Sequence, residues 1–208
     1  IFNMLSGTLK PNEGSIRLDG KEIAGTPPHA ICVMGVGRTF QIPRPIRRLS
    51  ILENAALAGF YGQAGAVTRA QAWRSAEEAL EMVGLPTDAE AAIDTLGAAG
   101  LKKLELAKAL ATKPSLLLAD ESLGGLDHSE MDQAADMLKN IREELGVTII
   151  WVEHIMGVLM RVVDRVMVLD HGEKIAEGRP QEVAADPKVI EVYLGSDAEE
   201  TAAAASRA

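Results

Sequence analysis

Short, continuous apolar runs punctuate this chain, and between them apolar residues recur every three or four positions. Leu116, Leu117, Leu118 and Ala119 lead straight into the acids Asp120 and Glu121. A run of that length reads as a strand buried on both faces, as in a parallel sheet. Residues 147–152 (VTIIWV) read as a second buried strand, ending in Glu153 and His154. Helical spacing dominates elsewhere. Ala72, Ala76, Leu80 and Val83 line one face of a helix over 68–83, and Gly84 closes it. Residues 51–57 form a helix with Ser50 as N-cap and Glu53 at the capping-box position. Further helices are expected over 101–111 and 129–145. Alternation around Asp19-Gly20 predicts a hairpin over 14–23, and a second turns at His171-Gly172 within 165–176. Pro27 and Pro28 break the chain before a short helix over 29–34, and two more short helices follow at 180–185 and 187–194. Residues 196–208 lack large apolar side chains and read as a frayed tail.

Strand–helix–strand alternation after residue 100 indicates an α/β fold with a doubly wound parallel sheet. The helical stretch 42–100 lies between two α/β stretches, so the expected organisation is a core of 1–41 with 101–195, an inserted helical lobe of 42–100 and a tail of 196–208.

Composition narrows the function. Apolar residues make up 47% of the chain, enough for a real core, and with 3% aromatics that core is aliphatic. A net charge of −9 argues against nucleic acid as the main partner. The one cysteine, Cys32, excludes an internal disulfide, fits a reducing compartment and reads as a small buried residue. No apolar run approaches the roughly 18 residues that cross a bilayer, and the first residues lack a signal-peptide layout. A soluble, cytoplasmic chain is expected. It opens in mid-pattern, with Ile1, Phe2, Met4 and Leu5 continuing a helix that has no start.

Chemistry concentrates at two strand ends. Ligands of open α/β sheets bind beyond the carboxyl ends of the strands, and Asp120-Glu121 and Glu153-His154 both lie there. Adjacent carboxylates at such a place are costly unless a cation or a reacting group uses them. The stretch from Leu116 to Glu121 resembles the Walker B motif of ABC transporter ATP-binding subunits. Gly124-Gly125-Leu126-Asp127 resembles their D-loop, His154 their switch histidine and Gln41 their Q-loop glutamine. Leu96-Gly97-Ala98-Ala99-Gly100, followed by LKKLELAKAL, occupies the place of their signature motif. The motifs are collinear over essentially the whole ordered length.

The resemblance implies a P-loop NTPase (RecA-like) core with an ABC-type helical subdomain, working with ATP and Mg²⁺. Asp120 and Gln41 would serve the metal, Mg²⁺ being a cation that takes oxygen ligands and keeps several waters. Glu121 would polarise the attacking water as general base, and His154 would sense the γ-phosphate. Gln41, at the lobe boundary, would convert its contact into lobe rotation. Gly97, Ala98, Ala99, Gly100 and Asp127 would meet nucleotide across a head-to-tail pair of subunits. Other implied partners are transmembrane permease subunits and, indirectly, a solute-binding protein, with the chain peripheral to the cytoplasmic face of the inner membrane.

Three departures stand out. The family's usual Ser-Gly-Gly is replaced by Gly97-Ala98-Ala99, and its proline after the Walker B glutamate by Ser122. No G-x-x-x-x-G-K-[ST] occurs; the expectation is a chain that starts just past its phosphate loop and binds ATP poorly without it. Within the family, GRTFQIPRPIRRLSILENA and DPKVIEVYLG resemble branched-chain amino acid importer ATPases. Urea or amide importers and the lipopolysaccharide-export ATPase share much of the pattern. A non-catalytic partner subunit is the competing reading. Arg44, Arg47 and Arg48 either line a groove for the membrane subunit or form a solvated basic loop.

Overall fold

A computed structural model describes residues 1–121, 127–153 and 156–194. His154, Ser122, residues 124–126 of the expected D-loop and the tail 196–208 lie outside the described residues. The chain divides into two compact units, 1–154 and 155–208.

The first unit opens with a short helix α1 (Phe2–Leu5), then a hairpin of β1 (Arg17–Leu18) and β2 (Lys21–Glu22). Asp19 and Gly20 both take positive φ, at 48° and 78°. That is the two-residue turn whose twist matches the flanking strands. Helix α2 (Pro28–Val33) starts with Pro28 in its first turn, where a missing N–H costs nothing. Strand β3 (Val36–Arg38) follows and leads through Thr39 and Phe40 to Gln41.

Helices α3 (Ile51–Gly62), α4 (Arg69–Met82) and α5 (Ala98–Ala111) pack on one another. Capping boxes start the first two, Ser50 with Glu53 and Thr68 with Gln71. The expected face of α4 is buried, Ala72, Ala76 and Leu80 fully, and Gly84 ends the segment at φ 69°. Two helices exceed their expected lengths: α3 continues to Gly62, and α5 begins at Ala98 rather than at 101. Ala98, Ala99 and Gly100 therefore form the first turn of α5. Alanine favours the helix most, and the two alanines offset the low propensity of Gly100.

Strand β4 (Leu116–Asp120), helix α6 (His128–Leu145) and strand β5 (Thr148–Val152) complete the unit. The sheet runs β3-β4-β5, all parallel, with Arg38 opposite Leu118 and Asp120 opposite Val152. Leu117, Leu118 and Ala119 are fully buried, as expected for the central strand. β5 differs. Its residues alternate between partly buried and exposed, with Ile150 40% and Val152 44% exposed. The apolar run was expected to be buried on both faces, yet within β5 it is Ile149 and Trp151, on one face, that pack on the main core. Periodicity alone cannot separate one covered face from two when every residue is apolar.

That main core joins α3, α4 and α5 to Leu117, Leu138, Ile141 and Val147. A smaller cluster of Phe2, Ile23, Ile31, Val36 and Leu118 covers the other face of β4. Cys32 is half-buried; its thiol lies 3.8 Å from the Gly62 carbonyl, and burial pushes its pKa up.

The second unit contains α7 (Met156–Val162), β6 (Val166–Asp170), β7 (Glu173–Gly178), α8 (Pro180–Ala184) and α9 (Pro187–Val189), with a π-helical turn over Ile190–Leu194. β6 and β7 form the expected antiparallel hairpin about His171 and Gly172, with a bulge between Val168 and Leu169. Val166, Val168, Val183 and Val189 form its own core.

Candidate active site

Parallel pairing sets the site. Because Arg38 lies opposite Leu118, the residues after β3 run alongside the last residues of β4. The Thr39 N–H donates to the Leu118 carbonyl at 2.9 Å, and the Asp120 N–H donates to Thr39 Oγ1 at 3.1 Å. This lacing extends the β3–β4 edge by one residue and delivers Gln41 to the strand mouth. There the Gln41 side-chain amide donates to the Glu121 carboxylate.

Glu121 has φ 41°, a region a side chain with a Cβ rarely occupies. Its backbone is held on both sides. The N–H donates to the Val152 carbonyl at 3.0 Å, and the carbonyl accepts from Lys102 Nζ at 3.3 Å. Strain of this kind, worth of order 1–3 kcal/mol, persists only where neighbours over-determine the conformation. Burial pushes the Lys102 pKa down, against the pull of the Glu153 and Glu121 carboxylates.

Asp120 points toward α1. Its Oδ2 accepts from Arg38 Nη2 at 3.1 Å, with the two side chains 26% and 13% exposed. Arg38 Nη1 donates to Asn3 Oδ1 at 2.9 Å and to Ser6 Oγ at 2.8 Å. The rings of Phe2 and Phe40 lie 5.9 and 5.2 Å from the guanidinium carbon.

Beside this mouth lies a cavity of about 910 Å³, bounded among others by Thr39, Gln41, Glu121, Ala99, Lys102 and Met137. Ala99 reaches it from the first turn of α5. Gly97 is the N-cap of α5 without a side-chain cap, and nothing lies within 4 Å of where its Cβ would stand. The amides at this helix end are thus unshielded, which suits an anion.

Of the residues singled out in the sequence, Gln41 and Glu121 meet, while Asp120, the preceding residue of β4, turns to Arg38. Gly97, Ala98, Ala99 and Gly100 form one turn at the head of α5. Asp127 is placed by a structural role as well: it caps α6, accepting from the Glu130 N–H at 2.8 Å while its own N–H donates to Glu130 Oε2 at 3.0 Å. The D-x-x-E spacing was the readable signal for that box. Arg38, Thr39 and Lys102 were missed. Each acts through a contact with a residue far away in sequence, which no local pattern announces.

The donor set suits a hard cation. Asp120 and Glu121 at the end of β4, with Gln41 against Glu121, carry side-chain oxygens of the kind Mg²⁺ takes when it keeps part of its water shell, although among the described residues no three His, Cys, Asp or Glu side chains lie close enough to hold a metal ion by themselves. Arg44, Arg47 and Arg48 stand apart from this. Arg47 pairs with Asp94 at 2.9 Å in an exposed bridge. The Arg44 backbone is pinned, its N–H donating to the buried Glu105 carboxylate at 2.9 Å and its carbonyl accepting from Lys108.

Comparison with known proteins gives the family of the chain. Residues 1–124 match the family model described as ABC transporter, and residues 173–199 match that of a branched-chain amino acid ATP-binding cassette transporter. The chain is 35% identical to the high-affinity branched-chain amino acid transport ATP-binding protein BraF of Pseudomonas aeruginosa, over 94% of the chain and 81% of that relative. It is 33% identical to a probable branched-chain amino acid transport ATP-binding protein, LivG, of Archaeoglobus fulgidus, over 94% of the chain and 79% of that protein. Among solved structures, the ADP conformation of MJ1267, an ATP-binding cassette of an ABC transporter, superposes with a TM-score of 0.80 at 26% identity, covering 93% of this chain and 82% of that one. The dimeric structure of MJ0796, a bacterial ABC transporter cassette, gives 0.74 at 27% identity over 86% and 78%.

Proposed function

The chain belongs to the ABC transporter family as an ATP-hydrolysing subunit, and on that premise we propose that it energises import of branched-chain amino acids, with Glu121, Asp120 and Gln41 as its working groups. Relatives named for that transport support the choice of solute. The observation that carries the site is the convergence of Gln41 on Glu121 across 80 residues of sequence.

Glu121 is the general base. Its left-handed backbone turns the carboxylate away from the line of β4, and the Gln41 amide holds one carboxylate oxygen, leaving the remaining lone pairs for a water proton. Such a base contributes about 10² to 10⁴-fold. Asp120 and Gln41 are the residues that would hold Mg²⁺, and that ion, when bound, neutralises charge developing on the transferred phosphoryl group. Lys102 fixes the Glu121 carbonyl from α5, so the base and the helix carrying Gly97 to Gly100 are tied together within one subunit. The free amides at the head of that helix are suited to the nucleotide of a second subunit in a head-to-tail pair, with Asp127 beside the same interface and His154 as γ-phosphate sensor. Permease subunits hold the chain at the cytoplasmic face of the membrane, and a solute-binding protein takes part indirectly.

Gln41 stands where the chain leaves β3 for the helical stretch 42–100. A change in what Gln41 touches is therefore transmitted to that lobe, the core being 1–41 with 101–195. Glu121→Gln in the full-length protein, assembled with its permease, tests this reading. ATP binding is retained, while steady-state turnover falls at least about 10²-fold and leucine uptake stops. Turnover at the wild-type rate would refute the assignment of the base; lost turnover with unchanged leucine uptake would refute the solute.

A further inference from the structure

Arg38 is the least expected member of the strand mouth. Its side chain is only 13% exposed, and its Nε is buried with no hydrogen-bond partner among the described residues. Burying a guanidinium is costly unless it is paired and hydrogen-bonded. Here five residues offset that cost. Asp120 supplies the opposite charge, Asn3 and Ser6 supply acceptors from α1, and Phe2 and Phe40 supply ring faces. The chain has three phenylalanines in all, and two of them are spent on this group. The arrangement is a built site for one cation, and that cation is part of the protein.

We propose that Arg38 is a resident counter-ion for Asp120 and sets how much Mg²⁺ the site requires. This deepens the proposed function and rests on its assignment of Asp120 to the metal. The guanidinium holds one oxygen of the carboxylate that a divalent cation would use, and its fixed positive charge within a few ångströms repels the incoming ion. Free Mg²⁺ therefore finds Asp120 already neutralised. The ion binds when a nucleotide's phosphates add the negative charge that Asp120 alone does not offer. On seating of the metal, Arg38 releases Oδ2 and keeps its hold on Asn3 and Ser6, so α1 stays in place. Arg38 is a positioning residue: it acts through Asp120 and touches no reacting atom. Its place two residues before Phe40 and three before Gln41 also puts the counter-ion and the glutamine on one short segment.

The test titrates MgCl₂ into the full-length protein at saturating ADP and follows thermal unfolding, a readout independent of turnover. ADP affinity is first measured in EDTA. Arg38→Gln, which removes the charge and keeps hydrogen-bonding capacity, is expected to lower the half-saturating Mg²⁺ concentration about tenfold, the change that 1.4 kcal/mol of lost competition produces. It is also expected to make free Mg²⁺ stabilising in the absence of nucleotide. Arg38→Lys keeps the charge but not the planar fork, so its half-point is expected to lie between those of wild type and Arg38→Gln. An unchanged or raised half-point in Arg38→Gln overturns the proposal, as does a Lys variant that behaves like the Gln variant. Should Arg38→Gln not fold, wild-type crystals grown with ADP and MnCl₂ decide the matter. Arg38 Nη2 is expected beyond 4 Å from Asp120 Oδ2 once the metal is seated on Asp120, and retention of the bridge with metal bound there overturns the proposal. Absence of ADP binding in the wild type would instead defeat the proposed function itself, and metal seated away from Asp120 would defeat its metal assignment.

Discussion

The helical stretch from α3 to α5 and the mouth of β3 and β4 belong to one compact unit, yet they are held by opposite means. The helices are held by apolar faces and local caps. Ile51, Ala55, Ala76, Leu80 and Leu104 are buried to within 0–1% exposure, and the boxes at Ser50 and Thr68 close over three residues of sequence. The strand mouth is held by polar contacts that span about 80 residues. Arg38 meets Asp120, Thr39 meets Asp120, and Gln41 meets Glu121. The first region is non-directional in its chemistry and tolerates small shifts. The second is directional, tying charges and a strained backbone to particular partners, which is what the proposed positioning of a water and a metal would demand. Stability and reactivity are thus assigned to different kinds of contact, with Lys102 of α5 as a direct link between them.

If that division is right, a large insult to the helices leaves the chemistry nearly intact. Leu80→Ala, at a fully buried position of α4, is expected to cost about 2–5 kcal/mol in urea unfolding. Its effect on ADP affinity in the full-length protein is expected to stay within about twofold, since Leu80 touches none of the convergent groups. A tenfold weaker affinity would break the comparison.

A smaller effect sharpens it at the link. Burial lowers the Lys102 pKa below its ordinary value of 10.5, with Glu153 and Glu121 opposing the shift. Between the lowered value and 10.5 the unfolded chain binds the proton more tightly than the folded one. Stability therefore rises with pH through that window, on account of this group. Lys102→Met removes that contribution. The difference in urea midpoint, wild type minus variant, is expected to grow modestly as pH rises toward 10.5, the group being largely solvent-screened. A difference that shrinks with rising pH would reverse the sign and contradict the burial of Lys102.

The same contrast explains what the sequence discloses. The helix over 68–83, the cap at Ser50 and both hairpins follow from periods and turn residues within a dozen positions, and the structure has them. β4 was legible because apolar residues ending in two acids have few other readings. β5 was less so: VTIIWV reads as doubly buried, and only pairing and packing decide that Ile150 and Val152 face outward. The head of α5 was drawn three residues late because glycine at 97 and 100 suggested loop, whereas Gly97 is the N-cap and Gly100 lies within the first turn. At the site, Gln41, Asp120 and Glu121 were legible through a family resemblance. Their mutual contact was not, and neither was the pairing of Arg38 with Asp120. Such contacts arise only when β3 and β4 align in register, information that no single segment carries.

The central claim is that Gln41 and Glu121 work as one unit at the strand mouth. A double-mutant cycle on steady-state ATP turnover, with Gln41→Ala, Glu121→Gln and both together in the full-length protein, tests it most directly. Residues acting as a unit are non-additive, so the double variant is expected to turn over no more slowly than Glu121→Gln alone, within about twofold. Losses that multiply across the two substitutions would show that the two side chains act independently and would contradict the account.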